Sequence, residues 1–152
     1  MIQELTVKEL YQLGETIAAD LLWEAVYPWE ILDKIGQFIL DLGSTLSEER
    51  FEKRGENIWI AKSAKVAETA FINGPCIIDD AIVGKNAVVG NSTELKNVIL
   101  FNNVQVPHYN YVGDSVLGYK SHMGAGSITS NVKSDKKLVV VKTDKGNIET
   151  KR

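Results

Sequence analysis

Val106-Pro107-His108-Tyr109-Asn110-Tyr111-Val112-Gly113-Asp114 contains two aliphatic anchors, Val106 and Val112, with a histidine between them. Outward from this stretch the anchors continue as Leu100, Leu95, Val89, Val83, Ile78, Ile72, Val66 and Ile60 on one side, and Leu117 and Met123 on the other, always in steps of five or six. From Val66 every third anchor closes a 17-residue period, giving the columns Val66, Val83, Leu100, Leu117 and Ile72, Val89, Val106, Met123. Neither the helical period of about 3.6 nor the strand period of about 2 produces that spacing. A small residue often follows the anchor, as in Ile60-Ala61, Val66-Ala67, Val89-Gly90, Val112-Gly113 and Leu117-Gly118. A coil with three flat faces accounts for both features: the anchors point inward and the small residues let the backbone turn. Stacked coils pair as parallel strands, so each covers the edge of its neighbour. The expected fold is therefore mainly β, built of 17-residue coils over residues 58–132.

Residues 1–50 have a different texture and are expected to form a helical extension. Thr6-Val7-Lys8-Glu9 fits a capping box, and one or two helices should run through Leu10, Leu13, Ile17, Leu21 and Leu22. Pro28 breaks the chain and suits a first helical turn. Ile31, Leu32, Ile35, Phe38, Ile39 and Leu42 then fall on one helical face, with Gly43 as the stop. That stripe must be buried against the rest of the chain or a neighbouring subunit. Residues 51–57 read as a polar connector. Residues 133–152 read as a basic tail that turns at Asp144-Lys145-Gly146, forming a β-hairpin. Such an ending leaves a strand edge unpaired unless the hairpin plugs the coil, so the chain reads as a piece of a longer protein with later coils, or as a plugged one.

Charge and cysteine content narrow the function classes. The 152 residues carry a net charge of −3, which argues against nucleic acid as the partner. The charge is uneven: residues 1–56 hold 12 acidic and 5 basic side chains, and residues 133–152 hold 3 acidic and 7 basic. The tail is either a solvated basic surface or an anion site. Cys76 is the single cysteine, so no intrachain disulfide forms. No apolar run reaches the ~18 residues of a membrane span, and no basic start precedes an apolar core at the N-terminus. A cytoplasmic protein with no membrane partner is expected.

Three segments carry a family resemblance: Val89-Gly90-Asn91-Ser92-Thr93-Glu94-Leu95-Lys96-Asn97, Pro107-His108-Tyr109-Asn110-Tyr111-Val112-Gly113-Asp114 and Gly124-Ala125-Gly126-Ser127-Ile128-Thr129-Ser130-Asn131. In order and spacing they resemble the acetyltransferase domain of bifunctional UDP-N-acetylglucosamine pyrophosphorylase/glucosamine-1-phosphate N-acetyltransferase, a hexapeptide-repeat, left-handed parallel β-helix. Tyr27-Pro28-Trp29-Glu30-Ile31-Leu32 is similar to the helix that joins sugar-1-phosphate nucleotidyltransferase domains to their β-helices. No glycine-rich uridylyl-transfer motif is found, so no pyrophosphorylase activity is expected.

The resemblance implies transfer of an acetyl group from acetyl-CoA to the amine of an amino-sugar phosphate, at a site shared within a homotrimer and without a metal. Imidazole suits the base because its reference pKa of about 6.5 lies near neutrality. His108 matches the family's catalytic histidine, and Glu94 would orient the base or the amine. Tyr111, Lys96 and Lys137 match substrate positions, Asn131 is expected near the acetyl group, and Ala125 lies in the turn expected to meet acetyl-CoA. In the 17-residue register His108 shares a column with Gly74, Asn91 and Ala125. Two features depart from the family: Ile78 stands where an arginine is expected for the sugar phosphate, and His122 where an asparagine is. A non-catalytic assembly or regulatory β-helix is the competing reading. A β-helical zinc site needs three histidines, whereas only His108 and His122 exist.

Overall fold

A computed structural model describes residues 1–78, 87–129 and 132–152. Among these residues the fold is mainly β, with three short α-helices at the front: α1 (Val7–Leu10), α2 (Ala19–Trp23) and α3 (Ile35–Gly43). The strands described after them are β1 (Phe51–Lys53), β2 (Ile58–Ala61), β3 (Lys65–Val66), β4 (Phe71–Ile78), β5 (Val88–Asn91), β6 (Glu94–Leu100), β7 (Gln105–His108), β8 (Tyr111–Leu117), β9 (Val140–Thr143) and β10 (Gly146–Glu149). Strands β2, β4, β6 and β8 pair in parallel and in that order, and β3, β5 and β7 form a second parallel sheet. Strand β1, from the segment read as a connector, adds antiparallel to β2 through the pair Glu52↔Ile60 and buries Phe51.

Corners separate the faces at regular positions. Ser92, Tyr109 and Gly126 have φ of 52°, 52° and 76°; Asn97 and Asp114 have 54° and 43°; Asn103 and Lys120 have 55° and 59°. Within each set the members follow one another at the coil period. The left-handed backbone that turns the chain is thus repeated once per coil at three places, most readily by Asn, Asp and Gly. At the second corner the Asn97 amide donates to Asp114 Oδ1 at 2.7 Å, linking two coils.

The 17-residue register holds from β5 onward, as in Val89↔Val106, Leu95↔Val112 and Leu100↔Leu117. Below β5 it does not. Val66 pairs with Val89 and not with Val83, and Ile72 pairs with Leu95 and not with Val89. That coil is six residues longer than expected at Ile72↔Leu95 and five longer at Ile78↔Leu100, the register shifting between Asn73 and Cys76; Val83 itself lies outside the described residues. Because the anchors repeat about every sixth position, an added unit preserves their phase while shifting every later anchor by one face.

Val98, Ile99, Leu100 and Phe101 are all fully buried. Successive strand residues point to opposite sides, so both sides of this face are covered. The coil core covers the inside, and α3 packs outside on β4 and β6. The helical stripe of Ile31, Ile35 and Ile39 has no exposure, each side chain contributing about 1.5–3 kcal/mol on burial. Gly43 ends α3 in right-handed geometry. Its role is one of space, because a Cβ there would meet the Trp59 indole at 2.2 Å. The capping box at Thr6 does not form: Thr6 Oγ1 donates to the Gln3 carbonyl, and the Glu9 carboxylate accepts from Gln3 Nε2. The box appears at Pro28 instead, where Glu30 Oε2 accepts from the Val26 and Tyr27 N–H groups.

The N-terminal segment also holds the upper coils. The Tyr11 hydroxyl donates to the Val116 carbonyl at 3.2 Å, its ring packs 5.5 Å from that of Phe101, and burial pushes the phenol above its ordinary pKa. Asn102, fully buried, donates to Glu15 Oε2 at 2.8 Å.

The hairpin forms around Asp144-Lys145, with Gly146 at φ 125°. It docks on the helical segment: Arg152 donates to Asp33 Oδ1 at 2.7 Å, and Lys145 pairs with Glu4. The acidic front and basic tail thus answer each other. Asp33 is held below its ordinary pKa first by the Arg152 hydrogen bond, and Glu4 by that of Lys145. Depressed carboxylate values stabilise the docked tail above the ordinary carboxylate range and cease to do so as pH falls through the lowered values. Acidification below about pH 4 is therefore expected to loosen the tail, more gently where salt already screens these exposed pairs. Amide exchange in β9 and β10 measures this, and Arg152→Ala should remove much of the pH dependence.

Candidate active site

The coil architecture places most of the sequence candidates at one corner and on the face that follows it. Strand β7 ends at His108, which is exposed and in register with Asn91 one coil below. Gly74 is not in that column. The added unit moves the column to the Glu68–Thr69 turn, where Thr69 Oγ1 lies 2.6 Å from Asn91 Oδ1. Above His108, its carbonyl accepts from the Gly126 N–H at 3.1 Å, which puts the Gly124–Ser127 turn directly over the histidine. Ala125 is exposed in that turn.

Past the corner at Tyr109, the next face begins with Glu94↔Tyr111, and Tyr111 is bridged in turn to Ile128. Lys96 follows Glu94 with buried Leu95 between them, so carboxylate and ammonium stand on the same outward side. Lys96 pairs with Gly113. A Cβ at Gly113 would lie 2.7 Å from the Tyr111 hydroxyl, so the glycine makes room for the phenol to lie along its strand toward the Lys96 rung. Glu94, Lys96 and Tyr111 thus share one outward face, with His108 at its leading corner.

Three candidates stand differently. Asn131 lies outside the described residues. Lys137 is exposed outside the strand register, on the stretch leading to β9, with its backbone N–H on Asp135 Oδ1. Ile78 does not stand beneath Lys96. It pairs with Leu100, beyond the Asn97 corner, and the residue one coil below Lys96 is Asn73. Ile78 thus leaves the column of Leu95 to which a uniform 17-residue period assigns it. His122 is exposed one coil above Gln105, its Nδ1 3.2 Å from Gln105 Oε1.

Backbone donors for a thioester oxygen are fewer than the glycine-rich turn suggests. The Gly126 N–H serves His108 and the Ser127 N–H serves the Gly124 carbonyl, which leaves the amides of Gly124 and Ala125 as candidates. Sequence reasoning missed two residues here. Tyr109 projects at the corner between His108 and Asn110, 64% exposed at φ 52°. Asn110 is buried beneath it, and its amide group binds three backbone groups.

Residues 55–145 match the family described as GMPPB C-terminal domain. The chain belongs to that family. It is also similar to proteins named bifunctional protein GlmU: 33% identical to that of Methanococcus maripaludis strain C5 over 89% of this chain and 37% of the relative, and 34% identical to that of Methanocaldococcus jannaschii over 82% of this chain and 33% of the relative. A third, from Methanococcus aeolicus, is 30% identical over 82% of this chain and 34% of the relative. The chain thus spans about a third of the length of the curated relatives it matches. The resemblance read from the His108 and Glu94 segments is shown by these relatives. Among the described residues, no helix is long and apolar enough to cross a membrane.

Proposed function

We propose that the chain is a left-handed β-helical N-acetyltransferase module that acts on an amino-sugar phosphate of the glucosamine-1-phosphate kind. The observation that carries this reading is the shared outward face of Glu94, Lys96 and Tyr111 with His108 at its corner. Acetyl-CoA, as co-substrate, supplies a thioester whose C–S bond breaks as a new C–N bond forms. His108 removes a proton from the amine as its nitrogen attacks, and the departing thiolate is protonated to the thiol. Glu94 orients the amine. Lys96 and the Tyr111 hydroxyl hold the phosphate, with Lys137 and Asn131 completing the acceptor and acetyl sites, and Gly124-Ala125 faces the thioester oxygen. Residues 58–132 form the catalytic β-helix, residues 1–50 the helical extension joined through 51–57, and residues 133–152 the tail. We further propose a cytoplasmic homotrimer with acetyl transfer and without uridylyl transfer, serving nucleotide-sugar precursor synthesis.

A non-catalytic assembly or regulatory module is the second reading. It is favoured by Ile78, which stands where the resemblance implies an arginine for the sugar phosphate. Acetyl-CoA consumption measured with a panel of amino-sugar phosphates separates the two. Turnover with a 1-phosphate acceptor supports the enzyme. No turnover with any acceptor, together with no thermal shift on adding CoA, leaves the module.

A further inference from the structure

Asn110 stands in a column with Thr93 below and Ser127 above, each one coil away, as the pairings Glu94 N–H to the Asn110 carbonyl and Tyr111 N–H to the Ser127 carbonyl require. Thr93 is fully buried, and its hydroxyl donates once, to the Val106 carbonyl at 3.2 Å. A short hydroxyl therefore suffices to build a coil at this position. Asn110, 2% exposed, does more. Its Oδ1 accepts from the His108 N–H at 3.1 Å, while its Nδ2 donates to the Gly124 carbonyl at 2.8 Å and the Ser127 carbonyl at 3.2 Å. The Gly126 N–H returns to the His108 carbonyl at 3.1 Å. One buried amide thus ties the backbone that carries His108 to both ends of the turn that carries Ala125.

We infer that Asn110 is a positioning residue that locks the His108 corner and the Gly124–Ser127 turn together, so that the base and the acyl-donor turn keep a fixed separation. The inference rests on the acetyl-transfer reading for its consequence in catalysis, though not for the coupling itself. The chemistry of the amide explains the choice. One side chain must both accept from one backbone group and donate to two others, which an amide does and a hydroxyl does not. A buried amide also costs free energy unless its bonds are made, so the arrangement favours one geometry.

Two variants of the full chain separate the halves of this clamp. Asn110→Thr installs the residue found one coil below and should fold with a melting temperature near that of the wild type. It loses the His108 and turn contacts, and CoA titrated by calorimetry should bind roughly tenfold more weakly. Asn110→Asp keeps an acceptor for the His108 N–H and removes the donor to Gly124 and Ser127. A carboxylate facing those two carbonyls should weaken CoA binding at least as much, and the charge it adds beside His108 should shift the pH profile of kcat/KM. Wild-type CoA affinity and pH profile in both variants overturn the inference. If wild-type protein neither binds CoA nor turns over, the acetyl-transfer reading fails while the coupling is still decided by hydrogen exchange. Faster exchange of the His108 and Gly126 amides in Asn110→Thr, with the Leu100 and Leu117 amides unchanged, supports it; unchanged exchange at His108 and Gly126 overturns it.

Discussion

Gly90→Ala is expected to lower the melting temperature by about 10 °C, through a loss of about 3 kcal/mol in a domain of this size. Gly90 lies between the paired residues Val89↔Val106 and Asn91↔His108, directly against the backbone of Pro107. A Cβ there would stand 1.7 Å from the Pro107 carbonyl oxygen and 2.4 Å from its carbonyl carbon. Backbone cannot rotate aside as the end of a side chain can, so the two coils must part and the ladder holding His108 must open. Gly14→Ala is the control, since nothing lies within 4 Å of a Cβ at Gly14. Its effect should stay within about 0.5 kcal/mol. Thermal unfolding followed by circular dichroism compares the two, and equal melting temperatures for Gly90→Ala and wild type would refute the close packing of these coils.

The same glycine shows what the sequence makes legible. Val89-Gly90 is one of several anchor-plus-small units that imply stacked coils, and the observed register Val89↔Val106 follows that expectation. The longer coil below β5 is hidden by the repeat itself: lengthening a six-residue pattern by about one repeat changes which residues stack while leaving the pattern intact. A uniform period therefore puts Ile78 and Gly74 in the wrong columns, whereas His108, Glu94, Lys96 and Tyr111, all beyond the added unit, fall in the observed register. The capping box at Thr6 fails for a different reason. Local side-chain bonding to Gln3 competes with the helix start, and short helices depend on their packing more than on their caps. Asn110 leaves a trace in the sequence. It is an amide in a column of hydroxyls, visible once Thr93, Asn110 and Ser127 are aligned at the coil period. The tail's partners are foreshadowed only by charge. An excess of carboxylates at the front and of cations at the end says that the two attract, but Asp33 and Glu4 as the specific partners emerge from the chain path.

His108→Ala is expected to reduce kcat for amine acetylation by about 10²–10⁴-fold while leaving the KM for acetyl-CoA nearly unchanged. The asymmetry follows from the site. The imidazole stands exposed at the end of β7, whereas the backbone bonds beneath it run through Asn110 and Gly126 and survive removal of the side chain. The variant should accordingly fold and melt like wild type, which separates this change from Gly90→Ala. Because the corner is open to solvent, added imidazole should restore part of the lost rate. Steady-state kinetics with and without imidazole measures both effects. Undiminished turnover by His108→Ala would remove the histidine from the chemistry, leaving Glu94 as the candidate base on the shared face formed with Tyr111 and Lys96.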